Sequence, residues 1–95
     1  MEHRLTLEMT LSREEFLRLL PGAVGSFGGP GEGDGFEGRD GPRRWRIRLV
    51  PLPDLHVGRV VLPRHRVEIH LQGYAEGEAE AFLTRFHRGF QRGGG

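Results

Sequence analysis

The chain has 95 residues, with 14 basic side chains, all of them arginine, against 13 acidic ones, and it contains no cysteine. This length fits one domain, and the absence of cysteine excludes disulfide bonds, thiolate metal sites and a cysteine nucleophile. The formal net charge of +1 argues against a strongly basic nucleic-acid-binding protein. No apolar run approaches the ~20 residues that a membrane span needs. We therefore expect a cytoplasmic protein with no membrane partner. The use of arginine without lysine fits a GC-rich genome, and the lack of asparagine and cysteine also fits a thermophile, and neither interpretation concerns function.

The N-terminal part predicts a strand followed by a short helix. Apolar and polar residues alternate over residues 4–11, as in a strand with one face on a core. Ser12 and Glu15 then have the spacing of a capping box, with Ser12 as the N-cap and Glu15 reaching back. Apolar residues at 16–20 supply one helix face, and Pro21 with the following glycine is expected to end the helix.

Residues 22–41 contain nine glycines, and we expect a flexible surface loop there. Residues 33–38 have the G-x-G-x-x-G spacing of a dinucleotide-binding loop, but the flanking residues do not provide the required strand and helix. The acids of the loop do not match EF-hand spacing either. Asp40-Gly41 predicts a type I′ turn that pairs residues 36–39 with the next strand.

Three more strands and a final helix are predicted. Residues 44–49 alternate between arginine and large apolar side chains, and the prolines of residues 51–54 are expected to end this strand. Residues 56–62 predict a strand with apolar groups on both faces, ended by Pro63, and residues 64–72 alternate again. The last helix has an apolar stripe with helical spacing, formed by Ala75, Ala79, Phe82, Leu83, Phe86 and Phe90.

These elements predict an α+β fold with a single antiparallel sheet of four to five strands and two helices on one face. The order is strand, helix, three or four strands, helix. We expect one domain over residues 1–92, followed by a disordered glycine tail at residues 93–95. In element order alone, this resembles TATA-binding-protein-like folds or a shortened START-like domain, and the resemblance implies nothing about function.

The sequence predicts no catalytic residue, no metal site and no cofactor. None of the five histidines forms an i, i+4 pair on a predicted helix. A nucleophile elbow (G-x-S-x-G) requires a glycine two residues before the serine. Val24 stands at that position before Ser26. Asp54 and His56 lie close together at a predicted turn and are the remaining candidates for proton transfer.

One face of the predicted sheet is rich in arginine. It carries the candidate binding residues Arg44, Arg46, Arg48, Arg66 and His70, accompanied by Arg4, Glu8 and Glu68. Two interpretations remain open. The face is either a solvated surface with cross-strand ion pairs, or a surface that binds a carboxylate, a phosphate or an acidic partner through arginine forks. Trp45 alternates with the arginines and is therefore expected on the opposite face of the sheet. The arginine-rich face thus lacks the stacking aromatics of RNA-binding sheets, which argues against a nucleic-acid partner.

Two functional hypotheses follow. The first is a non-enzymatic protein-interaction or adaptor module that uses the arginine-rich face, with a protein partner or a second copy; a homodimer through residues 57–62 is included. The second is a small-ligand or carrier protein. It would use either a pocket between the last helix and the sheet, or the C-terminal glycines, which are similar to the Gly-Gly end of ubiquitin-like sulfur carriers.

Overall fold

The computed structural model describes residues 2–24 and 35–90, which form an α+β fold on one antiparallel four-stranded sheet. The predicted fold class is confirmed, with four strands in total and three of them between the two helices. The elements in chain order are β1 (Glu2–Met9), α1 (Arg13–Val24), β2 (Gly35–Asp40), β3 (Arg43–Val57), β4 (Val60–Gln72) and α2 (Glu76–Phe90).

The strands lie in the order β1-β4-β3-β2, and every neighbouring pair is antiparallel. Strands β2, β3 and β4 are joined by two hairpins, whereas β1 pairs with β4 at the far edge. Helix α1 therefore connects the two opposite edges of the sheet. Both helices pack on the same face, which we call the inner face, and the opposite face is called the outer face. Among the described residues, no helix has both the length and the apolar character that crossing a membrane requires.

The core lies between the helices and the inner face. The alternation predicted over residues 44–49 and 64–72 is confirmed, because the apolar residues of these segments point inward and are buried, namely Trp45, Ile47, Leu49, Val67, Ile69 and Leu71. The rings of the two helices form a chain of contacts, with Phe16 5.0 Å from Phe90 and Phe90 4.8 Å from Phe86 between ring centroids. The sheet contributes Phe36, Trp45, Ile47, Leu49, Val67, Ile69 and Leu71 to this core.

Each helix begins at a capping interaction. The Glu15 amide donates to Ser12 Oγ at 3.1 Å, as the predicted capping box requires. At α2, the Ala75 amide donates to Glu78 Oε1 at 2.8 Å, which is the other half of such a box. The predicted end of α1 at Pro21 is wrong, since the helix continues through this proline to Val24.

The continuation of α1 has a tertiary cause. Proline inside a helix removes a backbone hydrogen bond, which costs about 3 kcal/mol. Ala23, two residues later, is completely buried against α2. A Cβ atom on Gly89 would lie only 2.5 Å from the Ala23 Cα, so the two backbones approach closely there. This packing supports the last turn of α1.

The predicted loop at residues 22–41 is shorter at both ends. Residues 22–24 belong to α1, and residues 35–40 form β2, whose pairing with β3 was predicted. Residues 25–34, which include Ser26 and the start of the G-x-G-x-x-G spacing, lie outside the described residues. The turn after β2 has a positive φ of 62° only at Gly41, because Pro42 is restricted to negative φ. This is the pattern of a type II′ turn, so the type I′ prediction is wrong.

Strands β3 and β4 extend beyond the rest of the sheet as a hairpin, here called the arm (residues 51–64). The predicted break at residues 51–54 is wrong, because β3 continues to Val57 with a register shift between Leu52 and Leu55. The chain then turns at Gly58, which has a φ of 58°. Within the described residues, β1 pairs with β4 only as far as His65, and β2 pairs with β3 only as far as Arg48. The arm strands therefore pair with each other.

Candidate binding surface

The five predicted binding residues all lie on the outer face. The register of β3 and β4 places Arg46 opposite His70 and Val50 opposite Arg66. Residues directly opposite each other in an antiparallel ladder share a face, and so do alternate residues of one strand. Arg44, Arg46 and Arg48 therefore form a row along β3, which is an interior strand of the sheet.

The row on β3 is loosely neutralised by glutamates. Arg46 Nε lies 3.5 Å from Glu37 Oε2, and Arg48 Nη1 lies 3.9 Å from Glu68 Oε1. The side chains of Arg46 and Arg48 nevertheless remain 67% and 73% exposed. Exposed ion pairs contribute about 0–1 kcal/mol each, because water competes for both charges. These guanidinium groups can therefore exchange their glutamate contacts for a stronger anionic ligand.

Positive charge accumulates at the β2 side of the row. Arg44 is exposed and lies directly opposite the exposed Arg39 of β2, while its neighbour on β4 is the uncharged Gln72. Like charges in opposite positions of a ladder are unfavourable. Within the described part of the chain, neither Arg39 nor Arg44 has an ion pair or hydrogen bond through its side chain. An anion bound here would relieve this repulsion.

Arg66 and His70 are less accessible than the row. Arg66 Nε is buried and 3.2 Å from Glu68 Oε2, and His70 Nε2 is buried and 3.4 Å from Glu2 Oε2. The first contact is an ion pair, and the second is one only when the His70 ring is protonated. Neither contact has hydrogen-bond geometry, so both nitrogens lack a hydrogen-bond partner among the described residues. These two residues border the accessible row on the β4 side.

The β1 edge of the outer face is the better neutralised edge. A hydrogen bond from the Gln72 amide and the proximity of His70 lower the pKa of the Glu2 carboxyl below its ordinary value of 4.5. Glu2 therefore stays ionised beside Arg4, at 3.9 Å. The accessible positive charge is consequently concentrated on β3 and β2.

Two other histidines have structural roles. His3 Nε2 is 3.0 Å from the Tyr74 carbonyl oxygen, and His65 Nδ1 is 2.9 Å from the Leu11 carbonyl oxygen. A ring nitrogen facing a carbonyl must carry a proton and donate it. Asp54 and His56 are exposed on the arm. Over residues 2–24 and 35–90, no group of three acidic or histidine side chains is arranged to hold a metal ion.

Two grooves lie at the margins between the helices and the sheet. One, of about 490 Å³, is lined by Trp45, Tyr74 and Phe82 together with charged residues, and the other, of about 380 Å³, is lined mainly by apolar residues of β1 and the helices. Their positions match the pocket of the ligand-binding hypothesis, which stays a prediction. The C-terminal glycines of the carrier hypothesis lie outside the described residues.

The outer face of the arm is not predicted by the sequence. The pattern of residues 56–62 predicts one strand, with Val57 and Val60 on opposite faces. The turn at Gly58 instead places Val57 directly opposite Val60, and Leu55 directly opposite Leu62, so each pair shares a face. The Val-Gly-Arg-Val segment has glycine at the first position of a two-residue turn between β-branched residues, which is the pattern of a type II′ hairpin.

Comparison of the chain with protein-family models, with curated proteins and with solved structures gives no match in any of the three.

Proposed function

We propose that this protein is a non-enzymatic interaction module whose outer sheet face binds an acidic segment of a protein partner. The observation that carries the proposal is the row of arginines on β3. An interior strand presents three consecutive outward arginines on the face that carries no helix, and their side chains are largely exposed.

The charge of this face supports an acidic ligand. A solvated face needs no excess of either sign, yet the sheet region of the outer face carries six arginines and only four glutamates. The arginines are Arg4, Arg39, Arg44, Arg46, Arg48 and Arg66, and the glutamates are Glu2, Glu8, Glu37 and Glu68. Arginine offers a planar fork that binds a carboxylate through two hydrogen bonds. A partner segment whose carboxylates are spaced like alternate residues of a strand would therefore bind several guanidinium groups at once.

A protein partner suits the face better than a nucleic acid. Binding of single-stranded RNA by a sheet relies on exposed aromatic side chains that stack on bases. Trp45 is only 3% exposed and belongs to the inner face. The net charge of +1 also provides little long-range attraction for a polyanion.

The test compares two double variants that change the net charge equally. Arg46→Glu/Arg48→Glu reverses the row, and Arg18→Glu/Arg88→Glu reverses two exposed helix arginines. The immobilised full chain is used to capture proteins from cells that produce it, and the captured proteins are quantified by mass spectrometry. We expect the captured partner to be retained by the helix variant and reduced at least tenfold by the row variant.

A milder double substitution is the control for misfolding of the charge-reversed variant. Arg46→Gln/Arg48→Gln removes the charges without placing glutamate opposite Glu37 and Glu68. Circular dichroism verifies that each variant is folded. If all variants capture the same proteins in the same amounts, the outer face is not the binding surface and the proposal is wrong.

A further inference from the structure

We infer that the arm extends the binding surface, and that the partner segment is amphipathic, with carboxylates over the β3 arginines and aliphatic or aromatic side chains over the arm. This inference rests on the proposed function and names the chemistry of the partner.

The arm continues the outer face without interruption. On β4, residues 66, 64, 62 and 60 alternate along one face, which places Leu62 and Val60 on the same side as Arg66. Their ladder partners Leu55 and Val57 share that side. Val50 and Leu52 link them to Arg48 on β3. The outer face therefore changes along its length from arginine to six aliphatic side chains: Val50, Leu52, Leu55, Val57, Val60 and Leu62.

In the part of the chain that the structure describes, the large exposed hydrophobic side chains lie in the arm. Among the described residues, the large hydrophobic side chains classed as exposed are Leu55 at 37%, Val57 at 57%, Val60 at 53% and Val61 at 52%. All four belong to the arm, and three of them lie on its outer face. Clustered aliphatic surface that is continuous with a charged surface is typical of a protein-binding site.

The charges around this apolar surface select an acidic partner over a second copy of the chain. Arg59 lies at the tip of the arm, and Arg64 and Arg66 lie at its base. Asp54 is the single acidic residue between positions 49 and 66. Two arms packed together through these faces would bring the arginines of both copies close to each other, which is unfavourable at low dielectric. Carboxylates next to an apolar stretch complement the same charges.

The partner segment is expected to lie across the face, because the edges of the arm are poor sites for an added strand. Pro51 and Pro53 interrupt the free edge of β3, and Pro63 interrupts that of β4. Proline has no amide to donate to a neighbouring strand. The distance from Arg46 to Val57 along β3 is about 35 Å at 3.3 Å per residue. A partner that contacts both regions must span a comparable length.

The test uses two labelled synthetic peptides of equal length, with identical glutamate positions in their first half. In the second half, one peptide carries leucines and the other carries serines. Binding to the full chain is measured by fluorescence anisotropy at low salt. We expect the leucine peptide to bind at least about tenfold more tightly, since burying one or two aliphatic side chains contributes that much.

Variants separate the arm from the arginine row. Val57→Ser/Val60→Ser should remove the preference for the leucine peptide while leaving the affinity for the serine peptide unchanged. Val61→Ser is the matched control, because Val61 is equally exposed but lies opposite His56 on the other face of the arm. Arg46→Gln/Arg48→Gln should weaken the binding of both peptides.

The outcomes distinguish this inference from the proposed function. Equal affinities for the two peptides would overturn the inference and leave the acidic-partner proposal standing, whereas binding of neither peptide would reject both. Sedimentation equilibrium tests whether a second copy of the chain covers the arm. A dimer that Val57→Ser/Val60→Ser converts to a monomer would show that a second copy covers the arm, and would also overturn the inference.

Discussion

In the proposed function, arginine at positions 44, 46 and 48 determines which ligands suit the outer face. A guanidinium group carries a positive charge, and its five donors are fixed in one plane. Lysine at the same positions would supply equal charge on a single ammonium group, without a planar set of donors. The side chains of Arg46 and Arg48 are 67% and 73% exposed, so both guanidinium groups remain accessible to a ligand despite their contacts with glutamate. The proposed binding of an acidic segment thus depends on residue type as well as on net charge.

At the residue scale, Tyr74 provides a direct test of the packing at the start of α2. Its ring packs edge-on against Phe82, with centroids 5.7 Å apart, and burial raises the pKa of the Tyr74 hydroxyl above its ordinary value of 10.0. The charge of Arg43, whose guanidinium carbon lies 5.8 Å from the ring centroid, lowers this pKa and partly opposes the effect of burial. Tyr74 is the single tyrosine of the chain, so its absorbance titration is unambiguous.

We expect a titration midpoint above pH 10.0 in the folded protein, and a still higher midpoint in Arg43→Gln. Because the pKa in the folded state is the higher one, the neutral phenol stabilises the fold below pH 10.0, and this contribution is lost as the pH rises through the folded-state pKa. Tyr74→Phe should remove that part of the alkaline loss of stability. A midpoint at or below 10.0 in protein shown to be folded by circular dichroism would contradict this packing.

At the scale of elements, the crossing of the two helices decides the length of α1. Sequence rules for helix ends take proline followed by glycine as a stop, because both residues disfavour a helix locally. They do not include the contact between Ala23 and Gly89, which are 66 positions apart in the chain. Burial against α2 supports the helical turn that local preferences oppose.

Two glycine substitutions in α2 test this crossing. Gly89→Ala should lower the free energy of unfolding by about 1–3 kcal/mol, because the new methyl group would overlap the Ala23 backbone. Gly77→Ala is the matched control in the same helix, where a Cβ meets nothing within 4 Å. This control should be neutral or stabilising by up to about 1 kcal/mol, since alanine is the better helix former. Urea unfolding measures both, and equal effects would mean that the helices do not approach closely at Gly89.

At the scale of the whole molecule, the arm is separate from the core. The molecule measures 47 × 29 × 21 Å along its principal axes, so it is far longer than a sphere of the same volume. No residue between positions 51 and 64 belongs to the buried core cluster of the described chain. Folding stability therefore comes from the helix-covered part of the sheet, and the arm is available for interaction.

Removal of the arm tests this separation. Replacing residues 53–63 by Asn-Gly joins Leu52 and Arg64, which are ladder partners, through a two-residue hairpin turn. We expect the melting temperature to change by less than about 5 °C, which corresponds to roughly 1 kcal/mol for a domain of this size. The radius of gyration measured by X-ray scattering should be smaller for this variant than for the unaltered chain. Loss of cooperative melting would show that the arm is part of the folding unit.

The sequence by itself determined which side of the sheet is buried where the helices cover it. Residues 44–49 and 67–71 alternate with a period of two, and the apolar stripe of α2 has helical spacing, so the inner face and the arginine row were predictable. Side-chain direction in a strand or helix is a local property of the backbone, and local patterns are sufficient to assign it.

Only the tertiary structure decided where α1 ends and how residues 51–64 are arranged. The prolines of the arm indicate a break when they are considered alone, yet pairing of Leu52 with Arg64 and of Val57 with Val60 keeps β3 and β4 together as one hairpin. Strand pairing and helix crossing depend on contacts between distant residues, which offset unfavourable local preferences. The apolar outer face of the arm exists for the same reason, because a turn at Gly58 places Val57 and Val60 side by side.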